Sequence, residues 1–361
     1  MASPSITAEI VELADATVRR RRPSSLAWSW AEGLLLYALL RLDAHLGQAR
    51  YRAFAEAYFA HHAARPTAIE WSDQCPPGLA ALELYAATSQ PELLTTAERV
   101  AHYLRAAPRT KDGGLNHFGV SLWASFYPQS MWVDSLMMYG VFAARFGRVR
   151  HDEAMLRFAV EQPPLFARVL RDPGTGLFRH AWWVKAARGV PRSGGYWLRG
   201  NGWVLASLVE VLAAAPLDAA GRVELVAMLR ELATAVVGYQ LPSGLFATVL
   251  GRASPETYPE TSGTALVAYA LFAGVRAGHL PSSFDEPATR AYRALLTALE
   301  RGPSGVSMPG ISGPTMPYPS WGYRLVPRVR DAAHGIAAML LAGIAAAERN
   351  STPAPIDSSY S

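Results

Sequence analysis

In the stretch MWVDSLMMYGVFAARFGRVRHDEAMLRFAVEQPPLFARV, residues 131–169, apolar residues recur at helical spacing. The periodicity covers 131–147 and resumes over 150–169. Gly147 falls between the two segments, at a position typical of helix stop signals. The stretch therefore predicts two helices joined by a tight turn, that is, a helical hairpin.

The same periodicity extends outward through nearly the whole chain. It predicts about twelve helices, over residues 5–20, 26–46, 49–64, 77–88, 91–107, 131–147, 150–169, 200–215, 219–239, 261–277, 284–301 and 330–349. Pro216 and Gly278 fall near the turns within pairs, as Gly147 does. The helices therefore form six sequential pairs.

Four longer linkers separate these pairs, over residues 108–130, 170–199, 240–260 and 302–329. They are rich in Gly, Pro and aromatic residues, unlike flexible linkers, and long ordered loops are usually functional. Because they recur once per hairpin, we expect them at one end of an all-α (α/α)6 barrel. A helical solenoid is the alternative, but the repeats share no fixed-period motif.

We expect a single catalytic domain over residues 1–349, followed by a disordered tail over 350–361. Half of the 361 residues are apolar, which is enough for a large core. The net charge of +5 is small for this length, and Lys111 and Lys185 are the only lysines. We read the run Arg19–Arg22 as a solvated helix end, so no nucleic-acid partner is expected.

Cysteine content and hydropathy suggest a location. Cys75 is the only cysteine, which excludes an internal disulfide and a CxxC metal site. Residues 1–18 show no secretory signal, and no apolar run approaches the ~18 residues that span a bilayer. We therefore expect a cytoplasmic protein without a membrane partner, either a monomer or a homodimer.

Two aspartates stand close to predicted helix starts. Asp73 lies just before Pro76 and Pro77, which favour a helix start, although an N-cap role would explain it equally well. Asp134 falls in the first turn of the apolar helix at 131–147, where desolvation raises a carboxyl pKa and the helix dipole opposes the rise. A simple preference for negative charge at a helix N-terminus is the alternative for Asp134.

The loops also carry aromatic and basic residues at high density. Asp172–His180 predicts a β-turn leading into a short strand. In YWLRGNGW, residues 196–203, Arg199 suits a planar anion such as a carboxylate, while Trp197 and Trp203 offer faces for a sugar ring. A structural aromatic cluster is the alternative. Glu260-Thr261-Ser262 precedes a helix, either as a capping segment or as a polar part of the cleft.

Taken together, these stretches resemble one family, the unsaturated rhamnogalacturonyl hydrolases of glycoside hydrolase family 105, with the glucuronyl hydrolases of family 88 as relatives. The resemblance covers roughly residues 25–345 and is most specific where MWxD and WxRGNGW occur together. The matching pieces are the Asp73 loop, DGGLNH (112–117), YPQSMWVDSLMM (127–138), PGTGLFRHAW (173–182), WLRGNGW (197–203), PSGLF (242–246) and ETSGTALVAYAL (260–271).

The resemblance implies an (α/α)6 barrel and a set of site residues. It makes Asp134 the general acid/base and Asp73 the second active-site aspartate. Five residues match the family's substrate-contacting positions: His117, His180, Trp197, Arg199 and Trp203. Further candidate substrate-binding residues are Trp132, Asn201, Glu260 and Ser262.

The implied reaction is hydration of an enol ether rather than attack at the anomeric carbon. Its substrate is a sugar whose C4=C5 double bond is conjugated to a carboxylate. A carboxylic acid protonates C4, water adds at C5, and the resulting hemiketal rearranges and expels the rest of the saccharide. The resemblance implies no metal and no organic cofactor.

The chain departs from the family pattern in three places. Residues 118–126, FGVSLWASF, form an extra segment, 329–335 fits less cleanly, and no lysine lies near Asp134. A lyase, isomerase or cyclase acting on a non-carbohydrate alkene or enol ether is therefore the alternative function. A non-catalytic helical binding protein is the third reading, which the retained Asp73 and Asp134 disfavour.

Overall fold

The structure is a computed structural model that describes residues 6–215, 219–251 and 257–350. More than half of these residues lie in α-helices. The helices within them are α1 (Ala8–Arg19), α2 (Trp30–Leu46), α3 (Arg52–Ala64), α4 (Pro76–Thr88), α5 (Pro91–Ala106), α6 (Val141–Arg150), α7 (Glu153–Leu170), α8 (Leu198–Ala214), α9 (Ala219–Val237), α10 (Thr261–Arg276), α11 (Asp285–Ala298) and α12 (Ala333–Glu348).

Short strands occupy parts of the loops between the helices. They are β1 (Ser130–Trp132), β2 (Ala181–Trp183), β3 (Arg188–Val190), β4 (Tyr196–Trp197), β5 (Phe246–Ala247), β6 (Val249–Leu250), β7 (Pro259–Glu260), β8 (Glu300–Gly302), β9 (Gly305–Ser307), β10 (Ile311–Ser312) and β11 (Arg328–Val329). The antiparallel order β1-β2-β3 forms one sheet, and the others pair as β4 with β6, β5 with β7, β8 with β9 and β10 with β11.

The even-numbered helices form the inner ring of the molecule. Each packs against the next, from α2 through α4, α6, α8 and α10 to α12, and α12 packs back against α2. The odd-numbered helices lie outside this ring, with α1 against α12. The ring is closed, so the predicted (α/α)6 barrel is confirmed and the open solenoid is excluded.

Burial follows from this arrangement, because a helix covered on every side has to be apolar all round. In α8 every residue except Ala213 is buried. In α12 the buried positions likewise run almost continuously from Ala333 to Ala345. The core therefore lies along the inner ring, and the polar side chains of α8 need partners inside the protein.

The turn positions predicted within pairs are partly confirmed. Gly278 adopts a left-handed conformation, with φ of 71°, two residues after α10 ends. The turn expected at Gly147 lies instead at His151, where φ is 53°, because α6 continues to Arg150. Pro216 and the tail residues 351–361 lie outside the described residues.

The helix predicted to start at residue 131 begins later. Residues 130–132 pair with β2 as strand β1, and a π-helical turn over Leu136–Gly140 leads into α6. Asp134 therefore stands between strand and helix, and its backbone carbonyl accepts hydrogen bonds from the N–H groups of Met137 and Met138. It precedes the first helical turn rather than lying within it.

A buried ionic network ties the inner helices together. Glu210 of α8 accepts hydrogen bonds from Tyr37 of α2 at 2.8 Å, Tyr269 of α10 at 2.6 Å and Arg145 of α6 at 2.7 Å. Arg145 lowers the pKa of Glu210 to about 2 despite its burial, so the group is a carboxylate. The network cross-links four inner helices. No helix in the described ranges is long and apolar enough to cross a membrane.

One close approach between inner helices positions Asp73. Gly33 of α2 lies against the start of α4, where a Cβ atom would stand 2.4 Å from the nitrogen of Pro77 and 2.5 Å from the carbonyl carbon of Pro76. Only glycine allows this contact, because both neighbouring atoms belong to the backbone. The contact fixes the start of α4 directly behind Asp73.

We expect Gly33→Ala to lower the free energy of unfolding by about 1–3 kcal/mol, because the added methyl group displaces the start of α4. Chemical denaturation measures this loss. Gly302→Ala is the matched control, since a Cβ atom there meets no atom within 4 Å. Equal stability of the two variants would contradict the proposed packing.

Candidate active site

A cleft of about 400 Å³ opens among the long loops, at the N-terminal ends of the inner helices. Its size lies in the range of small-molecule sites. Its lining is largely aromatic, with a few charged groups. The lining residues are Trp30, Trp71, Asp73, His117, Phe118, Trp123, Trp132, Asp134, Met138, Trp197, Arg199, Pro314, Thr315 and Met316.

Asp73 reaches the cleft from a short 3-10 helix, Ser72–Gln74, immediately before α4. Its Oδ1 lies 3.6 Å from Nε2 of His117, and its side chain remains 16% exposed. The N–H of Ser72 donates to the carbonyl of His117 at 3.1 Å, so the two loops are joined by their backbones. Burial, helped by the negative charge of Asp134, raises the pKa of Asp73 well above its usual value.

Asp134 lies beside a different histidine. Its Oδ2 stands 3.2 Å from Nε2 of His180, and its side chain remains 13% exposed. The other ring nitrogen of His180, Nδ1, lies 3.1 Å from the hydroxyl of Tyr323. The N–H of Val133 donates to the carbonyl of His180 at 2.8 Å, so this histidine is held to the Asp134 segment by backbone as well as side chain.

The pKa of Asp134 differs from the value expected from sequence. Burial alone would raise it, but His180, with help from His117 and Arg199, outweighs burial and holds the pKa of Asp134 below its usual value. Desolvation does raise the pKa of Asp134, as its sequence position indicates, but the sequence did not reveal the neighbours that reverse the net shift. The two carboxyl groups of the cleft therefore differ, because the pKa of Asp73 is raised and the pKa of Asp134 is lowered.

Stacked rings hold both histidines in place. His117 lies on Trp132 with ring centroids 3.9 Å apart and planes within 5°. His180 lies on Trp197 at 4.3 Å. Burial lowers the pKa of His117 to about 3, so this ring is neutral at neutral pH. Each carboxyl group therefore faces a histidine whose plane is fixed by a tryptophan.

Arg199 is fully buried in the first turn of α8 and its guanidinium lies 4.7 Å from the ring of Trp197. One terminal nitrogen donates to the carbonyl of Ser312 at 2.6 Å, and the other donates to the carbonyl of Gly313 at 2.8 Å and to the hydroxyl of Thr315 at 3.1 Å. Arg199 thus holds the segment that continues into Pro314, Thr315 and Met316 of the cleft wall.

Glu260 fixes the same segment from the other side. Its carboxylate accepts from the N–H of Ser262 and the N–H of Ser312, each at 2.9 Å, and from the N–H of Gly263 at 2.5 Å. His334 Nε2 lies 3.0 Å from the carbonyl of Ser312. Glu260 and Ser262 therefore cap α10 and anchor the 312–316 segment, and neither lines the cleft.

The structure brings six of the predicted site residues into the cleft lining: Asp73, His117, Trp132, Asp134, Trp197 and Arg199. His180 and Trp203 lie behind it, His180 against Asp134 and Trp203 edge-on to Trp30 at 6.4 Å. Asn201 is buried beneath the cleft, where its amide bonds to both backbone groups of Phe178 and to the carbonyl of Trp197.

Sequence reasoning did not single out several residues of the site. Trp30 lies at the start of α2, whereas Pro314, Thr315 and Met316 come from the linker 302–329, whose role was predicted only as a loop. Tyr323, the partner of His180, belongs to the same linker. The high proline and aromatic content of that linker was the one available signal.

Several buried nitrogen atoms in and behind the cleft lack hydrogen-bond partners among the described residues. They are Nε2 of His117, Nε2 of His180, Nε1 of Trp197, Nε of Arg199 and Nε1 of Trp203. Buried polar atoms nearly always have partners, so such a cluster indicates a place where a bound molecule supplies them. No group of three His, Cys, Asp or Glu side chains in the described ranges is arranged to hold a metal.

Comparison with known proteins places this architecture in a family. A family model described as Glycosyl Hydrolase Family 88 matches residues 5–350. The unsaturated rhamnogalacturonyl hydrolase YesR of Bacillus subtilis is 28% identical over 347 residues, which cover 93% of this chain and 95% of that protein.

Solved structures show the same fold. A possible member of the GH105 family from Salmonella enterica superposes with a TM-score of 0.85 at 25% identity, covering 96% of this chain and 95% of the other. The unsaturated glucuronyl hydrolase of Bacillus sp. GL1 superposes with a TM-score of 0.72 at 16% identity, covering 92% of this chain and 94% of that one.

The contacts of Arg199 predict a structural effect of its removal. Arg199→Ala leaves the carbonyl of Gly313 and the buried carboxylate of Glu260 without their cationic partner, so we expect a loss of about 3–5 kcal/mol in unfolding free energy. Amide hydrogen exchange should become faster over 312–316. Arg301→Ala, at an exposed arginine paired with Glu9 and Glu12, is the control and should change stability by at most about 1 kcal/mol. Unchanged exchange over 312–316 would refute the anchoring role.

Proposed function

Because this chain belongs to glycosyl hydrolase family 88 and is therefore a glycoside hydrolase, we propose that it cleaves saccharides that end in a 4,5-unsaturated uronyl ring. The observation that carries the proposal is geometric: Asp73 and Asp134 line one aromatic cleft beside the buried Arg199, and each carboxyl group faces a histidine. The similarity to the unsaturated rhamnogalacturonyl hydrolase YesR over 93% of the chain supports the same substrate class.

In the proposed reaction a carboxylic acid donates its proton to C4 of the C4=C5 double bond. C5 then carries positive charge that the ring oxygen shares, and a water molecule attacks C5 while the carboxylate takes up the water's proton. The C5 hemiketal opens by breaking its bond to the ring oxygen, and the hemiacetal left at C1 expels the second saccharide as an alcohol. One water is consumed, and the acid ends protonated as it began.

We assign the proton transfers to Asp134, supported by Asp73. In the free protein His180 favours the ionised form of Asp134, whereas burial favours the protonated form of Asp73. A substrate carboxylate entering the cleft adds a negative charge, which raises the pKa of a nearby carboxyl group. Substrate binding therefore favours the protonated form of Asp134, the form that acts as the acid.

Arg199 supplies the positive charge in this arrangement. Among the cleft-lining residues of the described ranges it is the only arginine or lysine, and its Nε has no partner there. Trp132 and Trp197 provide flat apolar walls for the sugar ring. His117, His180 and Trp203 support these groups from the cleft wall and from behind it.

The cytoplasmic location and the monomeric or homodimeric state stay predictions.

The test uses two disaccharides that differ only in the C4=C5 bond of the terminal uronyl ring. We expect the enzyme to cleave the unsaturated one, with loss of the ultraviolet absorbance of the conjugated alkene and release of the second sugar. The saturated disaccharide should resist, because it offers no double bond to protonate. Cleavage of the saturated compound, or no turnover of either, would contradict the proposal, and the latter would favour a non-carbohydrate alkene or enol ether as substrate.

Asp134→Asn keeps the size of the side chain but cannot donate or take up the proton. We expect kcat to fall about 10²–10⁴-fold, with KM and folding largely retained. Asp73→Asn should reduce kcat less, because burial already favours the uncharged form of Asp73 and the amide keeps its size. Steady-state kinetics of both variants on the unsaturated disaccharide measure the difference. Near wild-type turnover of Asp134→Asn would remove Asp134 from the mechanism and leave Asp73 as the acid.

A further inference from the structure

The extra segment at 118–126 exposes a group of large apolar side chains. Val120 is 59% exposed, Leu122 74%, Trp123 63% and Phe126 77%. Single exposed apolar residues are ordinary on protein surfaces, whereas several on one short segment mark a binding surface. Trp123 lies on a 3-10 helical turn, Leu122–Ser125, and Phe126 directly follows it. The exposure of two aromatic side chains at one turn therefore needs an explanation.

The segment is held firmly against the cleft. Phe118 is buried and stacks on Trp71 with ring centroids 5.5 Å apart. The N–H of Val120 donates to the carbonyl of Glu70 at 2.8 Å, and the hydroxyl of Ser121 donates to the carbonyl of Phe118 at 2.7 Å. Exposure of the apolar side chains beyond this point is thus built into the fold.

Trp123 lines the same cleft as Asp73 and Asp134, together with Met316 of the Arg199-anchored segment. The exposed fraction of each side chain indicates how deep it lies in the cleft. His117 and Arg199 are each 1% exposed, whereas Met316 is 36% exposed and Trp123 63%. The charged groups therefore lie at the floor of the cleft, and Trp123 and Met316 lie at its mouth.

Among the described residues that line the cleft, none at its mouth carries a charge. Within the described ranges, the charged residues of the lining are Asp73, Asp134 and Arg199, and all three belong to the floor. A sulfate or a second carboxylate lying against Trp123 would lose its water without gaining a cation, which is costly. An apolar face lying there would gain from burial against the indole ring.

We propose that Trp123 and Met316 form the platform that binds the leaving group, and that this leaving group is uncharged and presents an apolar face. The inference rests on the proposed function, which places the unsaturated uronyl ring at the floor between Asp73 and Asp134. Two sources share this chemistry, a neutral sugar with an apolar ring face and an apolar aglycone. Trp123 and Met316 then determine specificity for the group that departs.

The test uses four glycosides of one unsaturated uronyl ring, whose leaving groups are methanol, phenol, a neutral sugar and a sulfated sugar. For the wild-type enzyme, kcat/KM should be higher for the phenyl or neutral-sugar compound than for the methyl glycoside, and lower for the sulfated sugar than for the neutral one. The better of the phenyl and neutral-sugar compounds identifies the source. Trp123→Ala should lower the ratio of kcat/KM for that better substrate over the methyl glycoside about tenfold, mainly through KM. Met316→Ala should lower the ratio less.

Trp321→Ala is the matched control, because Trp321 is a tryptophan 56% exposed that does not line the cleft. Its ratio should equal that of the wild type. An unchanged ratio in Trp123→Ala, or a preference for the sulfated leaving group, would overturn the platform while leaving the proposed function intact. An unchanged ratio together with a change from dimer to monomer would assign the patch to a contact between copies. No turnover of any compound would overturn both proposals.

Discussion

Two carboxyl groups that share one desolvated cleft cannot both carry a full negative charge at acceptable cost. This constraint organises the site. Burial and the charge of Asp134 raise the pKa of Asp73, while the contact of 3.2 Å with His180 lowers the pKa of Asp134. In the free protein a proton therefore favours Asp73 over Asp134, and the negative charge of a bound substrate raises the pKa of Asp134 so that this residue can act as the acid. The stacking of His117 and His180 on tryptophans maintains this difference by fixing which histidine faces which carboxyl group.

The barrel makes this arrangement possible because it closes. Asp73, Asp134 and Arg199 lie at the starts of three successive inner helices, α4, α6 and α8, and only a closed ring directs them towards one axis. The linker after α11 completes the cleft from the opposite side, where Arg199 and Glu260 both bind Ser312. The inner helices are also cross-linked through Glu210, whose partners Tyr37, Arg145 and Tyr269 do not line the cleft.

Features that depend on residues close together in sequence could be predicted, whereas features that depend on contacts between separate loops could not. Helical periodicity and the long loops between hairpins predicted a helical barrel with a solenoid as the alternative, and the family resemblance favoured the barrel. The position of Asp73 beside Pro76 and Pro77 marked it as a residue at the barrel mouth. The lowered pKa of Asp134 could not be predicted from sequence, because the adjacent side chain of His180 comes from another loop. The hydrogen bonds from the Arg199 guanidinium to the carbonyls of Ser312 and Gly313 could not be predicted either, because these residues also come from another loop. Asn201, which sequence favoured as a substrate contact, instead joins α8 to the Phe178 backbone.

The order in which the two carboxyl groups lose their protons can be measured directly. Infrared difference spectroscopy across a pH titration separates the carbonyl stretch of a protonated carboxyl group from the carboxylate band, and it requires no substrate. We expect the protonated carboxyl signal that persists to the highest pH to disappear in Asp73→Asn and to remain in Asp134→Asn, because burial raises the pKa of Asp73 whereas the pKa of Asp134 is lowered. A signal that disappears in Asp134→Asn and remains in Asp73→Asn would show that the proton favours Asp134 instead.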